Sequence, residues 1–170
     1  MARQLIEFNI KSLDKNIFSM LDDEWMLITA GEENSLNTMT ASWGGFGILW
    51  NKPVGFIFIR PQRHTLGFVE KEDFFTLSFF DEKYRDILNY CGTRSGKDVD
   101  KVAETGLIPA KSSKGGIYFE QAGLVIECQK IYSDRIKPEN FLNKEIEKKV
   151  YNKKDYHHIF IGEIISCMKP

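Results

Sequence analysis

Strand-like segments recur along this chain more often than helix-like ones, and they do not alternate with helices. The run "EWMLITAG" (24–31) leads through the polar turn "EENS" into "LNTMTASW", the pattern of a strand pair. "PVGFIFIR" (53–60) carries Val54, Phe56 and Phe58 on one face and Ile57 and Ile59 on the other, which predicts burial on both sides. "DFFTLSFF" (73–80), "AGLVIECQKIYSDRI" (122–136) and "HHIFIGEIISCM" (157–168) complete the predicted strands. Helical signals are fewer. Leu66, Phe68 and Val69 form a short, loose helical pattern; Tyr84, Ile87, Leu88 and Cys91 share one helix face, with Gly92 as the expected stop. Val99, Val102 and Ala103 predict a second short helix ending at Gly106, and the charged stretch "KPENFLNKEIEKKVYNKKDY" reads as surface helix or loop without functional signal. Such a pattern argues against a doubly wound parallel sheet and for a mainly β, largely antiparallel barrel with peripheral helices.

At 170 residues, without repeats or a linker, the chain fits one domain spanning 1–170. A formal charge of −1 gives no global attraction to nucleic acid or an anionic membrane, so any anion must be caught locally. The longest apolar runs fall far short of a membrane span, and "MARQLIEFNIKSLDK" lacks the apolar core of a signal peptide. Cys91, Cys128 and Cys167 are odd in number and scattered, which disfavours a disulfide framework or zinc site and predicts packing thiols in a cytoplasmic protein.

Three segments carry candidate chemistry. In "NTMTASWGGFGILWNKP" (37–53), Thr38, Thr40 and Ser42 leave a strand by the same face, opposite Met39, Ala41 and Trp43. Two readings stand: a solvent-facing polar surface, or a row of neutral donors toward a ligand. Asn37 and Thr38 could also serve simply as turn residues. Trp43, Phe46 and Trp50, interleaved with Gly44, Gly45 and Gly47, could flank a flat ring, although Trp50 is expected in the core. "IRPQRHT" places Arg60, Arg63, His64 and Thr65 directly after a buried strand, a local phosphate site unless the arginines merely punctuate a turn. "TRSGKDVDK" adds Thr93, Arg94, Ser95, Lys97 and Lys101; on a helix the two lysines share a face, and a Ser-Gly turn before a helix offers free N–H groups. Asp98 and Asp100 partly offset these charges, and the alternative is a capped surface helix. His157 and His158 open a strand and point to opposite faces, a structural or solvated pair. No metal cluster, catalytic triad or paired-carboxylate motif appears, so any enzymatic chemistry falls to a bound cofactor.

In order and spacing, "NTMTASWGGFGILWNKP", "RPQRHT", "FFTLSFF" and "YCGTRSGKDVDKV" resemble the flavin reductase-like, FMN-binding split-barrel family, most closely its flavoredoxin-like branch. The resemblance covers about 24–119 motif by motif and the later strands more loosely. It implies a Greek-key-like split β-barrel that dimerises and holds FMN noncovalently near the dimer interface. By that similarity Thr38, Met39, Thr40 and Ser42 line the flavin, Arg60, Arg63 and Thr65 match the phosphate side, and Ser95, Lys97 and Lys101 close over the ligand, with Trp43 and His64 beside them as further candidate cofactor-binding residues. Lys97 stands where the branch has Arg, and His64 where it has an aromatic. The implied activity is electron transfer from NADH or NADPH through FMN to a small-molecule or protein acceptor; the alternative is an FMN electron carrier served only by partner proteins.

Overall fold

A computed structural model describes residues 5–170, so the first four residues of the N-terminal stretch read above lie outside it. In chain order the strands are β1 (Ile6–Glu7), β2 (Met26–Glu32), β3 (Ser35–Ala41), β4 (Gly44–Leu49), β5 (Lys52–Ile59), β6 (Phe74–Phe79), β7 (Pro109–Lys111), β8 (Ile117–Phe119), β9 (Leu124–Arg135) and β10 (His158–Lys169). The helices are α1 (Ile17–Ser19), α2 (Thr65–Lys71), α3 (Arg85–Thr93), α4 (Lys101–Thr105) and α5 (Lys144–Val150). An eight-stranded antiparallel sheet runs in the order β3-β2-β6-β9-β10-β5-β4, with β1 added to the end of β10. β3 and β4 occupy opposite ends of this path, yet only Ser42 and Trp43 separate them in the chain. Such a short link forces the sheet to curl until its two ends meet. No ladder joins those ends, so the barrel has an open seam.

Side-chain alternation sorts the sheet into two faces. Met26, Ile28 and Ala30 of β2 point into the barrel with Met39, Ile57, Ile59, Phe75, Leu77, Ile126 and Cys128. Leu27 and Val125 point outward into a second apolar layer with Leu88 and Cys91 of α3 and Phe119 of β8. That outer face also carries a buried polar row. Thr38, Thr29, Thr76 and Glu127 lie directly opposite one another across four adjacent strands. Thr29 and Thr38 share a hydrogen bond of 2.9 Å between their hydroxyls, Thr76 donates to the Ile117 carbonyl, and Glu127 accepts from the Gly116 N–H and the Ser112 hydroxyl.

Several local expectations need correction. β4 is a strand where the sequence suggested only glycines and aromatics; it forms a hairpin with β5 through Trp50 and Asn51, both at positive φ (51° and 60°). At this turn Trp50 is 58% exposed rather than in the core, with its ring against Tyr132. Phe46 packs on the barrel interior near Phe79. β5 is fully buried on its Ile57–Ile59 face, but on the other face Phe56 and Phe58 are half-buried. α3 continues through Gly92 to Thr93; a Cβ at Gly92 would come within 3.2 Å of the Thr40 side chain, so that glycine lets the helix approach β3. α4 begins only at Lys101, capped by Asp100, and ends at Gly106 (φ 68°) as expected. Lys101, not Ala103, is the buried residue of that helix. Cys91, Cys128 and Cys167 are free and buried, and no described helix is long and apolar enough to cross a membrane.

Candidate functional site

At the open seam, where β3 ends, two cavities adjoin. The larger, of about 350 Å³, is lined by Met39, Arg60, Arg63, His64, Thr65, the turn from Thr93 to Gly96, and Lys101. The smaller, of about 210 Å³, lies between Met39–Trp43, Phe58, Arg60, Arg63 and His157. Met39, Arg60 and Arg63 border both, so the two form one trough with a cationic end and an aromatic end.

Local structure explains the cationic end. β5 delivers Arg60 at its terminus, and a tight turn, in which the Arg63 N–H donates to the Arg60 carbonyl, brings Arg63 back beside it. Thr65 then opens α2. Asn37 of β3 donates from Nδ2 to the Thr65 hydroxyl at 2.8 Å, so that hydroxyl keeps its own hydrogen for another acceptor. The loop carrying Ser95 closes against the same Asn37. A Cβ at Gly96 would meet Asn37 Oδ1 at 2.0 Å, so only glycine permits this approach. Ser95 Oγ accepts from the Lys97 N–H at 3.2 Å and likewise keeps a hydrogen to donate.

The cations differ in their partners. Arg60 is neutralised: it donates to Asp155 at 2.5 Å and to the Val150 carbonyl at 3.1 Å, with Tyr151 beneath its guanidinium. Hydrogen bonds from Gln62 and Arg60 hold the Asp155 carboxyl down at about 2. Arg63 donates to the Gly92 carbonyl, and Lys101 Nζ to the carbonyls of Thr38 (2.7 Å) and Cys91 (2.8 Å). Among the described residues neither Arg63 nor Lys101 has a carboxylate partner. Burial lowers the pKa of both. Nearby Arg60 adds to the effect on Arg63, and Lys101 is brought to about 8 chiefly by burial, with Cys91 pulling the other way and Arg63 adding a smaller push down. Positive charge left without a counterion in a half-dry cavity favours an anion.

At the aromatic end, Trp43 (51% exposed) lies 5.2 Å from the His157 ring, and Phe58 meets that ring edge-on. Burial, reinforced by Arg60, lowers the His157 pKa to about 4, so the ring is neutral at pH 7. Its Nδ1 shares a 2.7 Å hydrogen bond with the Tyr151 hydroxyl.

The trough therefore gathers Met39, Trp43, Arg60, Arg63, His64, Thr65, Ser95 and Lys101, with Thr40 and Ser42 at its smaller cavity. It does not gather the whole set. The Thr38 side chain belongs to the buried row beneath the outer layer, and the Thr40 hydroxyl donates to the Leu88 carbonyl. Thr38 and Thr40 are thus neither a solvent surface nor free donors, because α3 and the outer layer cover them, whereas Ser42 is half-buried at the smaller cavity. The His64 ring rests on Phe68. Lys97 is exposed and borders a neighbouring trough, of about 590 Å³, between Glu33–Thr38 and Gly96–Val102, which meets the cationic end at Gly96 and Lys101, while Arg94 takes a place at the cationic end itself. The Ser-Gly turn does not run into a bare helix terminus, since Asp100 accepts the first N–H groups of α4. Sequence reasoning missed Asn37, His157, Tyr151 and Asp155. The last two lie in the charged segment that carried no functional signal, yet they hold Arg60 and His157 in place.

An antiparallel barrel with one open seam and a cationic trough along it defines a recurrent class of fold. Its solved relatives include an FMN-binding domain of a flavin reductases-like enzyme from Shewanella baltica OS155 (TM-score 0.71, 13% identity, covering 99% of this chain and 78% of that one). Flavoredoxin of Desulfovibrio vulgaris (Miyazaki F) is similar at TM-score 0.66 and 23% identity, covering 86% and 69%. An NADH:FAD oxidoreductase from Streptomyces globisporus C-1027 is similar at 0.65 and 14%, covering 86% and 75%. At these identities the likeness is one of fold. No curated protein sequence matches the chain. The profile described as "Flavin reductase like domain" matches residues 21–170, and the chain belongs to that family.

Proposed function

We propose that the chain binds FMN in the seam trough and works as an FMN-dependent oxidoreductase that draws electrons from NADH or NADPH. The observation that carries this reading is the pairing of Arg63 and Lys101 over one cavity without a carboxylate for either. A phosphate with about two negative charges meets that need, and the hydroxyls of Thr65 and Ser95 supply two neutral donors beside it. Along the rest of the trough, the edge of β3 from Met39 to Ser42 with Trp43, Phe58 and His157 offers a surface of the flat, part-apolar kind that an isoalloxazine ring requires. When bound, FMN supplies the redox chemistry, accepting hydride from a nicotinamide and passing electrons onward. The chain's own part is to bind, orient and screen. No side chain of the trough is needed as acid or base, and His157 is held neutral by its surroundings. Phe56 and Phe58 are only half-buried, and Ile48 and Trp50 are exposed on the same hairpin, which supports a homodimer that covers this surface.

Titration with FMN and with riboflavin, read by flavin absorbance, tests the reading. FMN is expected to bind at least tenfold more tightly; equal affinities remove the phosphate assignment, and failure to take up either flavin leaves a barrel that has lost its cofactor. Addition of NADH or NADPH then separates enzyme from carrier: bleaching at micromolar nicotinamide supports the enzyme, and bleaching only by a reduced protein supports the carrier.

A further inference from the structure

The segment from Lys137 to Tyr156 does more than brace Arg60. Three of its lysines, Lys149, Lys153 and Lys154, are exposed and make no ion pair among the described residues, whereas Lys144 and Lys148 are paired with Glu147 and Glu145. Beside them Leu142 is fully exposed and Ile146 half-exposed, four residues apart and with no packing partner in either core cluster. The segment itself reaches the residues of the seam trough. The Val150 carbonyl and Asp155 hold Arg60, and Tyr151 holds His157. In a chain of formal charge −1, three exposed lysines without an ion pair among the described residues, on a segment that also exposes a leucine and an isoleucine and braces the trough, form a local field of opposite sign to the whole.

We propose that the exposed residues of this segment, Lys149, Lys153 and Lys154 with Leu142 and Ile146, dock an acidic electron-transfer protein, which exchanges electrons with the adjoining site. The inference rests on the FMN reading of the trough. A small apolar centre ringed by charge is the anatomy of a transient protein interface, and the exposed leucine and isoleucine favour a protein over a nucleic acid. Complementary charge would act chiefly on the rate of encounter and on the choice of partner. Each encounter moves one electron from the reduced site to the partner's oxidised centre; two encounters, with two protons released to water, return the site to its oxidised state.

The test uses the full chain, an acidic plant-type [2Fe–2S] ferredoxin as probe and basic cytochrome c as control. Binding of the oxidised ferredoxin is measured by calorimetry at low and at physiological salt, with and without FMN. Expected are saturable binding to the chain that weakens with salt, a loss of about tenfold or more in Lys149→Glu/Lys153→Glu/Lys154→Glu, and a gain of a few-fold in Glu139→Lys, which removes an unpaired carboxylate from the same segment. FMN uptake and reduction by dithionite should be unchanged in both variants, which shows that the fold is kept. Equal ferredoxin binding by all three chains, or a preference for cytochrome c, overturns the docking surface alone. A chain that takes up no FMN overturns the flavin reading and, with it, the electron-transfer role.

Discussion

The hydroxyls of β3 and the cations at the end of β5 look equally available in the sequence, and the structure treats them in opposite ways. Thr38 and Thr40 lie under α3 and the outer layer, and their hydrogen bonds go to Thr29, Ile28 and Leu88. Arg63 and Lys101 line the open cavity, bonded only to neutral carbonyls and with no carboxylate among the described residues. A hydroxyl is satisfied by one neighbouring carbonyl, and a fold supplies many of those. A cation requires an anion, and one that folding leaves uncompensated is the better marker of a ligand site.

The sharpest way to break this comparison is Arg63→Ala. Losing a charge-assisted contact to phosphate removes about 2–3 kcal/mol, on the order of a hundredfold in FMN affinity, while riboflavin affinity changes little. Equal losses for the two flavins would mean that Arg63 acts through the fold rather than through the phosphate.

The next effect has a sign that separates ligand from fold. With Lys101 at about 8 in the free chain against 10.5 as the ordinary value, the unfolded chain holds this proton more tightly between those limits. More protons bound in the unfolded state means that the contribution of Lys101 to the stability of the free chain rises with pH across that window, while the buried thiols of Cys91, Cys128 and Cys167, whose pKa values burial raises, pull the other way above their ordinary value of 9.0. Phosphate needs the protonated lysine, so FMN affinity instead falls above pH 8, approaching tenfold per pH unit. Taken as the difference between the unaltered chain and Lys101→Met, which cancels the thiols, opposite slopes for thermal stability and FMN affinity are the expected result. A flat affinity profile from pH 7.5 to 9.5 would separate Lys101 from the ligand.

Smaller, and confined to the fold, is the effect of Thr38→Val. It removes the 2.9 Å hydroxyl pair with Thr29 in the buried row and should lower stability by about 1–2 kcal/mol in denaturant titration, with FMN affinity unchanged. A large loss of affinity at unchanged stability would restore the hydroxyl ladder to the ligand.

These contrasts also show why the sequence was legible in some places and not in others. The pairing of β2 with β3, the cationic end of β5 and the stop at Gly106 rest on local signals: alternation, a charge cluster after an apolar run, a glycine at positive φ. β4 was hidden because Gly44, Gly45 and Gly47 have weak strand preference and its turn uses Trp50–Asn51 rather than a glycine pair. Asp155 and His157 could not be placed, because their partners Arg60 and Trp43 are about a hundred residues away in the chain and meet them only once β10 pairs with β5. Nor does alternation reveal that a helix will cover a hydroxyl face. That depends on where α3 docks.

Lys97→Ala is the smallest change and the finest test. Its four-residue spacing from Lys101 suggested one helix face and one role. α4, however, starts at Lys101, so the two lysines lie on different backbone: Lys97 in an exposed turn bordering the β3 trough, Lys101 buried with Nζ fixed by two carbonyls. An exposed ammonium outside the cavity contributes through solvent, where unit charges interact weakly and salt screens them. Lys97→Ala should therefore shift FMN affinity by less than about twofold, and the shift should vanish at high salt. A tenfold loss would mean that the 95–98 turn folds inward over bound flavin, bringing Lys97 into the company of Arg63 and Lys101.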